Sequence, residues 1–396
     1  MLGGITYTVF TGLPPLPLPP PLVSALQKLE VETSTDMASV FRMRFGISQT
    51  MIGDWDLLMP QYEEYEELFF RPMTPVQIRV KVGIDIPKAI INGYITNQTV
   101  HYDDEGGGSS MEISGMDATL LMNLQEKVVP WPMPNDGAIA AAVFGQYAIV
   151  PMVFPSLPFN LDPTDMTVQR GTDIRFLRRL AQRNGFECFV QPQPQTGVDM
   201  GYFGPPTNIP GLQQAVLNVK MGAETNVSEF KIRYDMARPT MAVSAGLDTM
   251  TRAPSLAFSV APPVTLPPTG GLYPWGAPMG LQDATLRAIA GAHPPPMVLP
   301  AQTGQMTFPG LAVVNQAIAN RSSWAVVAEG LVGSDVGVLY VGRTVNIRGA
   351  GLAFNGAYYV TRVTHTFDCG AYSQKFEARR NAIDMTGSEI YLTPPV

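Results

Sequence analysis

Histidine, cysteine and clustered carboxylates are the side chains most often put to chemical work, and this chain of 396 residues is sparing with the first two. His101, His293 and His365 lie far from one another, so no histidine pair has metal-ligand spacing. His365 precedes an expected hairpin turn at 368–370 that contains Cys369, and it reads as a hydrogen-bonded sheet residue, not as the base of a nucleophile pair. Cys188 falls in a strand-like run and reads as a buried free thiol. The acidic run holding Glu63, Glu64, Glu66 and Glu67 supplies carboxylates, and two of these at a defined separation are what glycoside hydrolysis needs. Packed so closely in sequence, they read instead as a solvated face or a partner surface. No glycine loop cradles phosphate at the head of a helix, and no Gly-x-Ser-x-Gly elbow is present. No catalytic, cofactor-binding or metal-binding residue is expected.

The second cluster is cationic. Residues 172–185 predict a helix, with Thr172 as cap, Asp173 in the first turn and Asn184-Gly185 at the end, where a left-handed residue is wanted. Ile174, Leu177, Leu180 and Ala181 fall on one face, with Phe176 beside it. Arg175, Arg178, Arg179 and Arg183 are expected together on the outer face, either solvated or against another subunit or an acidic partner.

The elements that position these groups are mostly strands. Leu29, Val31 and Thr33 alternate with Lys28, Glu30 and Glu32, and Phe41, Met43 and Phe45 alternate with Val40, Arg42 and Arg44. The same period of two returns at 76–82, 89–100, 111–116, 227–234, 344–348, 357–367 and 371–379. Helices are expected at 118–127, capped by Asp117, at 138–147, capped by Asn135 or Asp136, and at 311–319. The reading is a mainly β (α+β) fold of two small β-barrels joined by an α/β segment. Its parts are a poorly packed proline arm at 1–23, a first barrel at 24–116, a linking α/β domain at 117–211 and a second barrel at 212–252 and 324–384. A proline-rich insertion occupies 253–323, and a tail 385–396.

Composition agrees. The 37 glycines and 37 prolines suit many short strands and turns, and 15% charged residues lies below the usual ~25%. A net charge of -7 without a polybasic tract argues against nucleic acid. The apolar start lacks a basic region before Lys28 and is broken by prolines, so neither signal peptide nor membrane insertion is expected, and synthesis in the cytoplasm is.

Several segments together resemble the phage late control D proteins and the hub portion of VgrG. They are the helix 172–185 with Phe186, the run 136–139 leading to Gln146-Tyr147, the early strand 29–32, and 354–365 with 370–372 near the end. The resemblance implies a non-enzymatic baseplate hub of a contractile tail or injection system. It implies a homotrimeric ring that adapts a sixfold tail tube to a threefold spike carried on another chain. Tube protein, spike protein and other baseplate components are then the partners, and an assembled phage tail or injection particle the location. The readings set against it are a tail-tip cell-wall glycosidase using Glu63, Glu64, Glu66 or Glu67, and a monomeric carbohydrate-binding module.

Overall fold

The computed structural model describes residues 5–49, 55–56, 70–83, 85–103, 108–132, 135–156, 167–206, 214–235, 241–247, 252–258, 297–298, 308–368 and 370–381. The fold is mainly β, as the alternation predicts. Strands β1 (Ile5–Thr11) and β2 (Leu16–Pro17) and a short helix α1 (Pro20–Ala25) precede β3 (Leu26–Ser34), β4 (Val40–Gly46), β5 (Pro75–Val82), β6 (Lys88–His101) and β7 (Ser110–Asp117). Strand β4 buries one face and wets the other: Phe41, Met43 and Phe45 enter the core while Arg42 and Arg44 face solvent.

The expected loose proline arm is corrected. β1 pairs with β5 from Ile5·Val82 to Thr11·Val76, and Leu18 and Leu22 are buried in the same core. Pro17 sits in β2 at the end of the sheet, where a missing N–H removes no interior ladder bond. The helix expected at 118–127 is also corrected. Asp117 does cap it, accepting from the Thr119 N–H at 3.0 Å, but the turn is 3-10 and ends at Asn123. The chain then extends as β8 (Glu126–Trp131).

In the middle, α2 (Asp136–Gln146) begins at Asn135, whose side chain accepts from the Gly137 N–H. Strand β9 (Val150–Val153) follows, and β10 (Thr167–Thr172) pairs with β8 in a two-stranded ribbon. Helix α3 (Asp173–Asn184) ends at Gly185 with φ 69°, as its Asn-Gly signal requires. Thr172, the expected cap, bonds Asn123 instead. Strands β11 (Glu187–Pro192) and β12 (Asp199–Gly204) complete a sheet of order β11-β12-β9, packed on the apolar faces of α2 and α3.

Strands β13 (Leu217–Asn218) and β14 (Val227–Tyr234) lead to a small group of β15 (Met241–Leu247), β16 (Pro254–Phe258) and β17 (Met297–Val298). Helix α4 (Phe308–Ser322), longer than the expected 311–319, contacts it. The final strands are β18 (Val326–Val332), β19 (Thr344–Arg348), β20 (Gly356–Asp368) and β21 (Ala371–Arg380). Most of the expected insertion lies outside the described residues.

The strands of both expected barrels lie in one hydrogen-bonded sheet of order β14-β18-β21-β20-β3-β4-β7-β6-β5-β1-β2, with β19 beside the first half of β20. Its two halves have the same topology. The order β3-β4-β7-β6-β5 repeats as β14-β18-β21-β20-β19. The irregularities repeat as well. The bulge between Leu26 and Lys28 matches that between Val227 and Glu229, and the bulge between Ile95 and Asn97 matches that between Val360 and Arg362. The two bulged threonines, Thr96 and Thr361, each donate to the carbonyl of the equivalent residue, Ser114 and Glu377. Met73 and Gly342, both at positive φ, each donate an N–H to the residue before the bulged threonine.

Volume is divided differently in the two halves. The cross-strand pair Phe41·Gly115 corresponds to Ala328·Ala378, and Met43·Ile113 to Gly330·Phe376. A Cβ at Gly115 would lie 2.3 Å from both the Phe41 ring and the Tyr94 carbonyl oxygen. One at Gly330 would lie 2.7 Å from the Phe376 ring. Each half fills its core with one large and one small partner, or with two of middling size.

Candidate functional site

Two features carry functional weight: the free edges of the sheet, and the ground between α3 and strand β20. Within the chain the halves join where β3 pairs antiparallel with the second half of β20, from Arg362·Ser34 to Asp368·Lys28. The equivalent surfaces are open. Residues 97–101 of β6 bond β7 on one side and have no strand on the other among the described residues, and Asn97, Gln98 and Thr99 are exposed. Among the described residues, 228–233 of β14 bond β18 only, with Ser228, Glu229, Lys231 and Arg233 exposed. Such edges template pairing with another chain.

Helix α3 turns Ile174, Phe176, Leu177, Leu180 and Ala181 inward, so Phe176 is core and not a flank. Its first turn is tied down by Asp173, which accepts from Lys127 at 2.6 Å and also from Tyr147 and Gln169. Burial alone would raise the pKa of Asp173, but these bonds outweigh it and hold the carboxyl below its ordinary range.

The four arginines do not form one outer face. At about 100° per residue they span an arc of roughly 140°, and only the middle of that arc is fully exposed, with Arg178 and Arg183 at its ends partly buried. Arg175 is exposed and stands 3.8 Å from exposed Glu126; Arg179 is exposed and donates to the Arg170 carbonyl. Arg183 turns inward and clamps the fully buried Asp136 through Nε at 2.7 Å and through Nη2, and Asn184 donates to the same carboxylate. Arg178 turns inward on the other flank, and its Nε and Nη2 are buried with no hydrogen-bond partner.

Arg178 lines a cavity of about 350 Å³ between α3, the end of α4, the β3–β4 turn and strands β20 and β21. Trp324 and Tyr359, with ring centroids 5.8 Å apart, wall one part of it. Glu187 accepts from the Tyr359 hydroxyl and from Thr35, and Arg379 lies 3.4 Å from Asp36 and 3.1 Å from Glu377. Desolvation pushes the Glu187 carboxyl up to about 7, outweighing the Tyr359 bond that lowers it. The Cys188 thiol is pushed up to about 12 by burial, so it supplies no thiolate to Arg178.

A folded-state pKa above the unfolded value means that Glu187 costs nothing below pH 4.5, progressively more between pH 4.5 and about 7, and a constant amount above that. Glu187→Gln should therefore stabilise the chain at about pH 8 by on the order of 2 to 3 kcal/mol, and leave it unchanged near pH 4. Urea midpoints at the two pH values check this. Equal shifts at both would show that Glu187 titrates in the folded chain as it does in the unfolded one.

His365 is buried, its Nδ1 2.8 Å from the Tyr372 hydroxyl, and burial pushes its pKa down to about 3. It is a neutral sheet residue. Cys369 lies outside the described residues, as do Glu63, Glu64, Glu66 and Glu67. Among the described residues, no group of three or more histidine, cysteine or carboxylate side chains could hold a metal ion, and no helix is long and apolar enough to cross a membrane. The cavity has no local sequence signal, because its lining comes from positions between 35 and 379.

No protein-family model matches the chain, and no curated protein matches it in sequence. Solved structures do match it. The 43 kDa tail protein of prophage MuSo2 from Shewanella oneidensis superposes with a TM-score of 0.59 at 14% identity, over 95% of this chain and 98% of that one. A tail protein from Neisseria meningitidis MC58 gives 0.58 at 10% identity, over 96% and 97%. An Escherichia coli component of the type VI secretion system, itself structurally similar to the T4 bacteriophage tail proteins gp27 and gp5, gives 0.50 at 11% identity over 93% and 76%. The chain thus shares, over nearly its whole length, the fold of phage tail proteins and of a type VI secretion component.

Proposed function

We propose that the chain is a structural baseplate hub of a contractile tail or injection system, acting as a homotrimeric ring and not as an enzyme. The observation that carries this reading is the internal repeat. In one chain, the first strand of one half pairs with the long fourth strand of the other. The same operation, applied to the two open edges, sets β14 of one copy antiparallel against the second half of β6 in the next copy.

Carrying the β3·β20 register across gives Thr99 opposite Arg233, Val100 opposite Ile232 and His101 opposite Lys231 of the neighbouring copy. The repeat says how copies join. The number three follows from the resemblance to the late control D and VgrG hubs, where two similar units per chain make six positions facing a sixfold tube. The tube protein then stacks on one side of the ring, and a spike carried on a separate chain fits the threefold side. The domain division at 116, 211 and 324 belongs to the same reading, with the exposed Arg175 and Arg179 free to contact neighbouring components.

Directly opposed residues of an antiparallel pair lie about 4.5 to 5.5 Å apart at Cα, within disulfide reach. Thr99→Cys combined with Arg233→Cys, in a Cys369→Ser background, should give intermolecular disulfides on mild oxidation, in a ladder that stops at three chains. A control pair, Thr99→Cys with Ser228→Cys, should give none. Cross-linking of the control to the same extent, or a ladder that runs past three, would overturn the proposed pairing.

A further inference from the structure

We propose that the cavity between α3 and β20 is a carboxylate-binding site in which Arg178 presents one edge of its guanidinium to the ligand. The Arg178 side chain is partly buried against the cavity. Arg178 Nε and Nη2 are both buried and both without a hydrogen-bond partner. A buried donor left without an acceptor is costly, and two such donors on one edge of a cation call for an anion.

The carboxylates already in the cavity are otherwise engaged. Glu187 has both oxygens occupied by Tyr359 and Thr35, and Asp36 is drawn to Arg379. Neither hydrogen-bonds Arg178. The two orphaned nitrogens are the Nε–Nη edge, whose parallel N–H groups match the two oxygens of one carboxylate. Space is available beside them, since about 350 Å³ lies within the range of small-ligand sites. Trp324 and Tyr359 give that space an apolar wall for the carbon skeleton of the ligand.

The carboxylate can come from a free small acid or from an acidic side chain of a partner segment, and two probes separate these sources. Glutarate serves for the first, and an acetylated, amidated Gly-Glu-Gly peptide for the second. Trp324 lines the cavity, so tryptophan fluorescence of the full-length chain reports occupancy. We expect at least one probe to bind saturably, and Arg178→Gln to weaken that binding at least tenfold. Arg178→Lys, which keeps the charge but loses the fork, should fall between the two, and Arg175→Gln on the exposed face should bind as the wild type does. Preference for glutarate assigns a free acid, and preference for the peptide a partner side chain. Circular dichroism establishes that each variant is folded; if Arg178→Gln is not, Arg178→Lys carries the comparison. Absence of saturable binding of both probes up to about 10 mM, an affinity near -3 kcal/mol, would overturn the proposal. Equal binding by wild type and by the folded Arg178 variants would overturn it too.

Discussion

Arg183→Ala should cost the chain about 3 kcal/mol or more of stability, far above the 0.5 kcal/mol typical of a surface arginine. The reason is not the arginine but the group it leaves behind. Asp136 is fully buried at the start of α2, and Arg183 meets it through two guanidinium nitrogens. Removing the cation strands a carboxylate in the interior with Asn184 as its remaining side-chain donor. Partial exposure of Arg183 itself, at 25%, keeps the expected loss at the low end of the range for buried pairs. The double variant Arg183→Ala with Asp136→Asn should lose less than Arg183→Ala alone, because the stranded charge is then gone. Urea midpoints of the variants test this. A loss within 0.5 kcal/mol for Arg183→Ala would mean that the carboxylate finds water or another partner.

Leu177→Ala should cost about 2 to 5 kcal/mol. Leu177 is fully buried between α3 and the sheet of β11, β12 and β9, in the cluster that also holds Phe144, Leu180 and Phe203. The rigid elements around it limit collapse, so the cavity term adds to the lost transfer energy. Arg175→Ala, two residues earlier on the opposite face, should stay within about 0.5 kcal/mol. Comparable losses for the two would mean that α3 is rotated from the placement described.

The sequence made the solvent-facing strands easy to find. In β4 and β14 a strict period of two leaves little choice of boundary or face, and the expected span at 227–234 matches β14; the span expected at 344–348 matches β19 too, though that strand is buried on both faces. Strand β1 was hidden because the prolines that follow it, from Pro14 to Pro21, outweigh a seven-residue run whose full-length partner lies some seventy positions away. The repeat was hidden for a different reason. Its signal lies in register, bulges and cross-strand order, while exchange of volume between Phe41·Gly115 and Ala328·Ala378 removes any similarity that composition could show.

The arginines of α3 illustrate the same limit at the candidate site. Four cations within nine residues suggest one polar face, yet those at the flanks of the arc are long enough to reach inward. Whether Arg178 and Arg183 reach inward depends on what waits there: Asp136 from α2 for one, and a cavity assembled from α4, β3, β20 and β21 for the other. Nothing local to 172–185 records either.

The central claim is that the two open edges close three copies into a ring. Light scattering coupled to size exclusion measures this most directly on the purified full-length chain, over roughly a hundredfold range of concentration. The account predicts a species of three times the chain mass of 42.9 kDa, lost when Arg233→Pro and Thr99→Pro are introduced together at the paired edges. A chain that stays at 42.9 kDa, or stops at twice that mass, at every concentration and with tube and spike proteins present would contradict it.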